Sequence, residues 1–284
     1  MRRPIIALMY DFDRTICTKD MQEYSFIPRI NMSPAAFWAE SNALAKKEKM
    51  DKILAYMRMM LSKASATNQP IRREDFVRLG KDLEYFPGVE AWFERVNRFA
   101  EALDVTVEHY IISSGLQEII EGSSIFAQFR QVYACEFLYD VNGVACWPKT
   151  VVNYTTKTQF LFRINKGVLD LSNDDDLNKY TPEDDRPIPF RNMIYVGDGL
   201  TDVPCMRLVK SNGGYSIAVY QEGARSKVEE LLVHERVNFL APADYSEGGE
   251  IDSIVQDIIQ KMVVVDRLKR KSMRQIASVA SRSE

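Results

Sequence analysis

The sequence predicts an α/β chain: a doubly wound parallel sheet, with an all-helical segment inserted soon after the first strand. Three observations predict it. Short, unbroken apolar runs alternate with stretches of helical periodicity, the pattern of βαβ units. The stretch from about Met21 to Leu83 has helical spacing and no strand-like run. Three of the apolar runs end in polar clusters, Asp11-Phe12-Asp13, Ser113-Ser114-Gly115 and Gly197-Asp198-Gly199. Ligands of doubly wound sheets bind beyond the carboxyl ends of the strands, so this topology brings those distant clusters together.

Taken in order, Ile5 to Tyr10 is short and wholly apolar, as expected of a central strand covered on both faces. In the next segment Phe37, Leu44, Ile53, Tyr56, Met57 and Met60 recur at helical spacing. Ser33-Pro34 reads as a helix N-cap with proline at the first helical position, and Asn68-Gln69-Pro70 as a break between helices. Phe86-Pro87-Gly88 is a turn, followed by a helix from about Val89 to Leu103 whose apolar face carries Val89, Trp92, Phe93, Val96 and Phe99. Tyr110 to Ile112 is a second buried strand and Val132 to Leu138 a third. Val141-Asn142-Gly143-Val144 is a hairpin turn, since Asn-Gly supports positive φ. Lys157 to Lys166 is a helix, and the acidic stretch Asp170 to Arg186 a solvated surface excursion. Strands follow at Met193 to Val196, Ser216 to Val219 and Val237 to Leu240, with a helix between the last two. From about Ile251 one long helix runs on and turns basic after Lys261.

Composition removes several classes of function. The chain has 284 residues, of which 46% are hydrophobic, so a wholly disordered protein is excluded. A formal net charge of -3 gives no support to a nucleic-acid partner or a polybasic membrane partner for the whole chain. No stretch approaches the roughly 18 to 20 apolar residues of a membrane span. The N-terminus is basic and then apolar, but the apolar run stops at Asp11, too early for a signal peptide. Cys17, Cys135, Cys146 and Cys205 are widely spaced, which fits a reducing cytoplasm better than a disulfide scaffold or a zinc knuckle. His109 and His234 are the only histidines, which argues against a multi-histidine metal site.

Asp11, Asp13, Asp198 and Asp202 in one crevice repel one another and need a cation. An oxygen-only donor set points to a hard ion, Mg²⁺ first. A magnesium ion beside a lysine, a hydroxyl and free backbone N–H groups makes a phosphate site. A carboxylate such as Asp11 is a competent nucleophile at phosphorus, and Asp13 is placed for general acid/base work.

These residues resemble the haloacid dehalogenase-like (HAD) superfamily. Asp11-Phe12-Asp13-Arg14-Thr15 after an apolar strand resembles its first motif, D-x-D-x-T. Ile111-Ile112-Ser113-Ser114-Gly115 resembles its second, a strand ending in Ser or Thr. Lys157 fits the third-motif lysine, with Lys149 and Lys166 as competitors; Lys157 is preferred because it opens a helix ahead of the acidic stretch. Gly197-Asp198-Gly199-Leu200-Thr201-Asp202 resembles the fourth, G-D-G-x-x-D. The order is right, and the resemblance spans roughly Ile5 to Met206.

The resemblance implies a Rossmann-like core over residues 1–16 and 86–284, with a helical cap over residues 17–85. It implies a Mg²⁺-dependent phosphohydrolase acting on a small phosphorylated metabolite through an aspartyl-phosphate. Asp11 is then the nucleophile and a metal ligand. Asp13 is the general acid/base, its backbone carbonyl a second ligand, and Thr15 shapes the loop. Ser113, Ser114 and Lys157 hold the phosphoryl oxygens. Asp198 ligates the metal, and Asp202 supports the ion or its waters. Dehalogenases and phosphonatases lack an aspartate at the position of Asp13, so phosphate-ester chemistry is favoured. Phosphoserine phosphatase and its relatives share the layout, although Arg14 stands where they often have a small residue.

Other readings stay open on these residues. The same intermediate serves a phosphotransferase, and a non-catalytic binding or scaffold protein could keep the fold. Arg14 is either a phosphate or leaving-group contact or a salt-bridge partner of nearby acids. Asp20, Glu23 and Arg58 are candidate substrate contacts. Met57, Met59 and Met60 read as packing, and His109 as a structural residue. The basic tail, Lys261, Arg267, Lys269, Arg270, Lys271, Arg274 and Arg282, reads as a solvated helix end on which the acidic stretch could dock.

Overall fold

The computed structural model describes residues 3–66 and 71–280, the side chains of 279 and 280 excepted. The break read at Asn68-Gln69-Pro70 and the tail residue Arg282 lie outside the described residues. The strands are β1 (Ile5–Tyr10), β2 (Thr106–Leu116), β3 (Phe129–Tyr139), β4 (Ala145–Thr150), β5 (Met193–Gly197), β6 (Tyr215–Tyr220) and β7 (Phe239–Pro242). They form a seven-stranded sheet in the order β4-β3-β2-β1-β5-β6-β7. All neighbours pair in parallel except β3 with β4. The chain leaves β1 toward β2 and returns to β1's other edge through β5, so the strand order reverses beside β1. Such a reversal opens a crevice at the carboxyl end of the sheet.

Register fixes what faces that crevice. Tyr10 pairs with Ile111 on one side and with Val196 on the other. The three polar clusters therefore begin at nearly the same height, and Asp11 N–H closes the last bond, to Val196 O at 2.9 Å. The strands between the two helical layers are apolar because both faces are covered: Ile6 to Tyr10 and Met193 to Val196 are fully buried.

The helical insert follows directly. Helices Phe26–Arg29, Pro34–Glu48, Lys52–Ala66 and Arg73–Leu79 occupy it. Ser33 caps the second of them, its Oγ accepting from Ala36 N–H at 3.2 Å ahead of Pro34 at the first helical position. Met57 and Met60 are fully buried, and Phe76 stacks on Phe137 of β3 with ring centroids 5.6 Å apart. The two connections between insert and sheet run side by side, with Thr18 N–H to Glu84 O at 3.0 Å and Phe86 N–H to Ile16 O at 3.1 Å.

Some boundaries move for local reasons. β2 is far longer than the apolar run Tyr110 to Ile112, because it also carries Glu108 and His109, whose polar atoms are hydrogen-bonded within the layers. β7 starts at Phe239, since Val237 N–H still bonds back to Leu231 O at the end of the Ser226–Val233 helix. The turn before β4 has Gly143 at φ +74, and the Asp140 carboxylate accepts from Asn142 and Val144 N–H. The acidic stretch is exposed but not featureless. It holds the short helix Asp174–Asn178, and the buried Arg163 donates to Asp170 O and Leu171 O and pairs with Asp174. Its far end meets the basic tail through an Asp184–Lys269 ion pair. The closing helix, Glu250–Ala280, buries Ile251, Val255, Ile258, Ile259 and Met262.

Candidate active site

Asp11 follows β1 directly and is buried. Its Oδ1 accepts from Phe12 N–H at 2.8 Å and lies 3.0 Å from Lys157 Nζ. Lys157 opens the Lys157–Lys166 helix and is itself fully buried. A fully buried ammonium is tolerable only when paired, and Lys157 has a second partner, Asp202 Oδ1 at 2.7 Å. Burial works against the Lys157 charge, but the Asp11 and Asp202 carboxylates more than offset it, so the ammonium is held protonated well above its ordinary range. Asp202 Oδ1 also accepts from the buried Tyr195 hydroxyl at 2.7 Å. Asp202 Oδ2 is buried with no hydrogen-bond partner.

Asp11, Asp198 and Asp202 each offer a carboxylate oxygen within 4.8 Å of the others. Desolvation, and then the Asp202 charge, push Asp11 up to about 7 despite Lys157. Desolvation, Asp11 and Asp202 push Asp198 up to about 8. Crowded carboxylates of this kind, with one buried oxygen left unpartnered, fit a hard divalent cation, which reverses such shifts by its own charge. The donor set is all oxygen, as Mg²⁺ requires.

Asp13 stands apart from that trio. Its Oδ1 accepts from Met21 N–H at 2.8 Å, a backbone donor supplied by the start of the helical insert. Burial, Asp20 and Asp11 raise its pKa well above the carboxylate range, favouring a protonated carboxyl. Two glycines make room. A Cβ on Gly115 would lie 2.1 Å from Met21 Cε and 2.9 Å from Asp13 Oδ2. A Cβ on Gly197 would lie 2.6 Å from Asp202 Cγ. Gly115 is thus set by Met21 and Asp13 packed on it, and Gly197 by Asp202.

The hydroxyls divide. Ser113 is fully buried and its Oγ accepts from Gly115 N–H at 3.0 Å. Ser114 lines the cleft, and its Oγ has no partner. Thr15 is fully buried, its Oγ1 likewise unpartnered. Of the competing lysines, Lys149 pairs with Glu136 and Lys166 donates to Leu177 O and Lys179 O, both away from the carboxylates.

A cavity of about 390 Å³ opens over Asp11, Asp13, Ser114 and Asp198 and continues under the insert. Arg14 lines it and pairs with Asp20 at 2.9 Å and Glu23 at 3.8 Å, which makes it a salt-bridge partner at the cleft edge. Asp20 lines the cleft too; Glu23 accepts from Trp38 Nε1 at 2.9 Å; Arg58 is exposed and does not line it. Sequence reasoning did not single out Gln22, Trp38, Lys52 or Tyr195, and read Tyr56 only as part of a helix's apolar spacing. The insert residues carry no motif, and a tyrosine inside a buried strand gives no signal that its hydroxyl meets an acid.

Comparison with known proteins agrees with this geometry. A family profile for haloacid dehalogenase-like hydrolases matches residues 8–207. An uncharacterized protein of Borreliella burgdorferi is 27% identical over 285 residues, covering 91% of this chain and 98% of its own. A HAD family hydrolase from Salmonella enterica serovar Typhi superposes with a TM-score of 0.58 at 15% identity, over 90% of this chain and 71% of the other. A substrate-bound phosphoserine phosphatase gives a TM-score of 0.54 at 12% identity, over 84% and 93%. A phospho-aspartyl intermediate analogue of phosphoserine phosphatase gives 0.50 at 13% identity, over 89% and 99%. With the profile covering most of the chain and the carboxylate-rich crevice built from its matched region, the protein belongs to the haloacid dehalogenase-like hydrolase family.

Proposed function

We propose that this chain is a Mg²⁺-dependent phosphatase that hydrolyses a small phosphomonoester through an aspartyl-phosphate on Asp11. The observation that carries the reading is the juxtaposition at the end of β1. Asp11 sits 3.0 Å from a fully buried lysine, within the carboxylate trio, and Asp13 two residues on is held by a backbone donor of the insert. A phosphoserine phosphatase of the same fold is known as a phospho-aspartyl intermediate analogue, and the proposal extends that chemistry to Asp11.

Asp11, Asp198 and Asp202, with the backbone carbonyl of Asp13, are the groups that would hold the metal. When bound, it neutralises the crowded carboxylates and draws charge from the phosphoryl oxygens. Lys157 and the Ser114 hydroxyl take the remaining phosphoryl oxygens, while the buried Ser113 hydroxyl, accepting from Gly115 N–H, holds the turn that presents Ser114. A carboxylate attacks only in its charged form; Lys157 favours that form of Asp11 and aims it, and the cation, when bound, would offset the desolvation and the Asp202 charge that raise it. An Asp11 carboxylate oxygen bonds to phosphorus as the ester P–O bond breaks. The departing alkoxide takes the proton of Asp13, whose carboxyl is favoured in the protonated form before attack. Asp13, now a carboxylate, takes a proton from water as that water attacks the phosphorus, releasing inorganic phosphate and restoring Asp11. The insert serves as the cap: Met21 N–H fixes Asp13, and closure over the crevice excludes bulk water.

The test is phosphate release from a broad panel of phosphomonoesters, with Mg²⁺ or with EDTA, for wild type and Asp11→Asn. Release that needs magnesium and vanishes in the variant supports the assignment. Undiminished release by Asp11→Asn rejects the aspartyl-phosphate. Added alcohols in the same assay separate hydrolysis from transfer, by phosphate against new ester.

A further inference from the structure

The distal half of the cleft carries a chemistry of its own. Trp38 and Tyr56 meet edge to face with centroids 5.9 Å apart, and both line the cavity. Each ring is pinned at its polar end. Trp38 Nε1 donates to Glu23 at 2.9 Å, and the Tyr56 hydroxyl donates to Ser114 O at 2.7 Å. Fixed rings beside Ile53 make a preformed apolar wall rather than side chains free to fold away. A wall of that kind offers little to a short polar alcohol, and the cavity lies in the size range that takes drug-sized ligands.

Two polar side chains of the insert, Lys52 and Gln22, line the same cleft. Lys52 lines it at the start of the Lys52–Ala66 helix and has no ion-pair partner among the described residues, whereas the cleft's other basic side chain, Arg14, is engaged by Asp20 and Glu23. Gln22 also lines it; the residue is 2% exposed, and its Oε1 is buried with no hydrogen-bond partner. A buried acceptor without a donor is costly unless a ligand supplies one.

We propose that the substrate is the phosphomonoester of a ring-bearing alcohol or phenol that carries a second anionic group. The ring packs on Trp38 and Tyr56, the second anion pairs with Lys52, and a hydroxyl or N–H of the substrate donates to Gln22. This inference rests on the phosphatase reading for the phosphoryl end of the ligand and assigns the other end. The dividing line from a serine-type substrate is the wall: a small zwitterion can offer its carboxylate to Lys52 and its ammonium to Gln22, but it leaves Trp38 and Tyr56 uncovered.

The test is calorimetric binding to the full-length Asp11→Asn protein with Mg²⁺ present, using four probes. Glycerol phosphate has neither feature, phosphoglycerate has the second anion, phenyl phosphate has the ring, and para-carboxyphenyl phosphate has both. The last should bind most tightly. Lys52→Gln, at an exposed position where folding is not at risk, should remove about a fivefold advantage of carboxyphenyl over phenyl phosphate and leave phenyl phosphate unchanged. Trp38→Leu should remove the advantage of ring over glycerol with the Lys52 effect intact. Hydroquinone bisphosphate in place of the carboxyphenyl ester tells whether a second phosphate or a carboxylate is preferred. Equal binding of the four probes, no binding of any, or a Lys52→Gln effect spread evenly over all four overturns the inference. Binding does not depend on turnover, so the two readings fail separately. Selective binding by a protein whose wild type releases no phosphate rejects the phosphatase alone. Hydrolysis without selectivity rejects the substrate class alone.

Discussion

Asp13 accepts its hydrogen bond from the insert and stands outside the carboxylate trio, and the proposed proton-transfer role rests on that difference from Asp11. Asp13→Asn keeps the Met21 N–H acceptor but removes the transferable proton. Its kcat for an alkyl phosphate should fall roughly 10²- to 10⁴-fold, with the melting temperature near that of wild type. An unchanged rate would remove Asp13 from proton transfer. Gly197 tests the packing behind the trio. A Cβ there would lie 2.6 Å from Asp202 Cγ, and neither β5 nor the buried Asp202 has room to yield. Gly197→Ala should destabilise by about 1–3 kcal/mol and lower activity by displacing Asp202, read by thermal melts alongside phosphate release. Lys157 was one of three competing lysines in sequence. Among them it alone is fully buried between two carboxylates, while Lys149 and Lys166 are absorbed by Glu136 and by loop carbonyls.

The Val89–Ala102 helix is joined to the two central strands by a buried polar chain. Trp92 Nε1 donates to Tyr10 Oη at 2.7 Å, Tyr10 Oη meets His109 Nδ1 at 3.0 Å, and His109 Nε2 meets Asn97 Oδ1 at 3.1 Å. Phe93 packs edge-on against the imidazole, and no carboxylate faces it within that chain. Burial pushes His109 down to about 3. Between that value and the ordinary 6.5 the unfolded chain binds the proton and the folded chain does not. Stability is therefore complete above about pH 6.5 and falls as the pH is lowered toward 3. By pH 5 this one group removes about 2 kcal/mol. His109→Gln should flatten the wild-type decline between pH 6.5 and 5 in denaturant melts; parallel slopes would exclude His109 as its source. The histidine was legible as structural because it precedes an apolar run. Its partners were not, since Tyr10 comes from a strand 99 residues away in sequence, and Trp92 and Asn97 from a helix whose rotation over the sheet no local pattern fixes.

Across the whole molecule, the carboxylate trio predicts a link between metal and stability. Mg²⁺ at about a hundred times its dissociation constant should stabilise by roughly 2.7 kcal/mol, seen as a melting temperature several degrees higher than in EDTA. Asp198→Asn relieves the repulsion among Asp11, Asp198 and Asp202, so it should melt higher than wild type in EDTA and lose the magnesium response. A full response in the variant would place the metal elsewhere. The acidic stretch and the basic tail do meet, through Asp184 and Lys269, with Arg191 also on Glu183 and Asp184. The contact is solvent-exposed, so Lys269→Ala should change stability by less than ~1 kcal/mol in denaturant melts at physiological salt. Among the described residues no helix is long and apolar enough to cross a membrane.

The strand ends were legible because a buried parallel strand has to be an apolar run, and a run that stops at acids and glycines marks where solvent and ligand begin. Asp11, Asp13, Asp198 and Asp202 could therefore be named together from sequence, and the parallel topology supplied the reason for their convergence. The all-helical insert was equally plain from its periodicity. Only the tertiary structure decided which lysine enters the crevice, that Tyr195 and Gly197 shape Asp202, that Ser114 rather than Ser113 lines the cleft, and which insert residues wall it. The reason is one of range. Periodicity and turn chemistry are local, so they are written in neighbouring residues. The neighbours of a side chain such as Lys52 or Gln22 are set by how two helices of the insert come to rest over the sheet, and no local pattern encodes that packing.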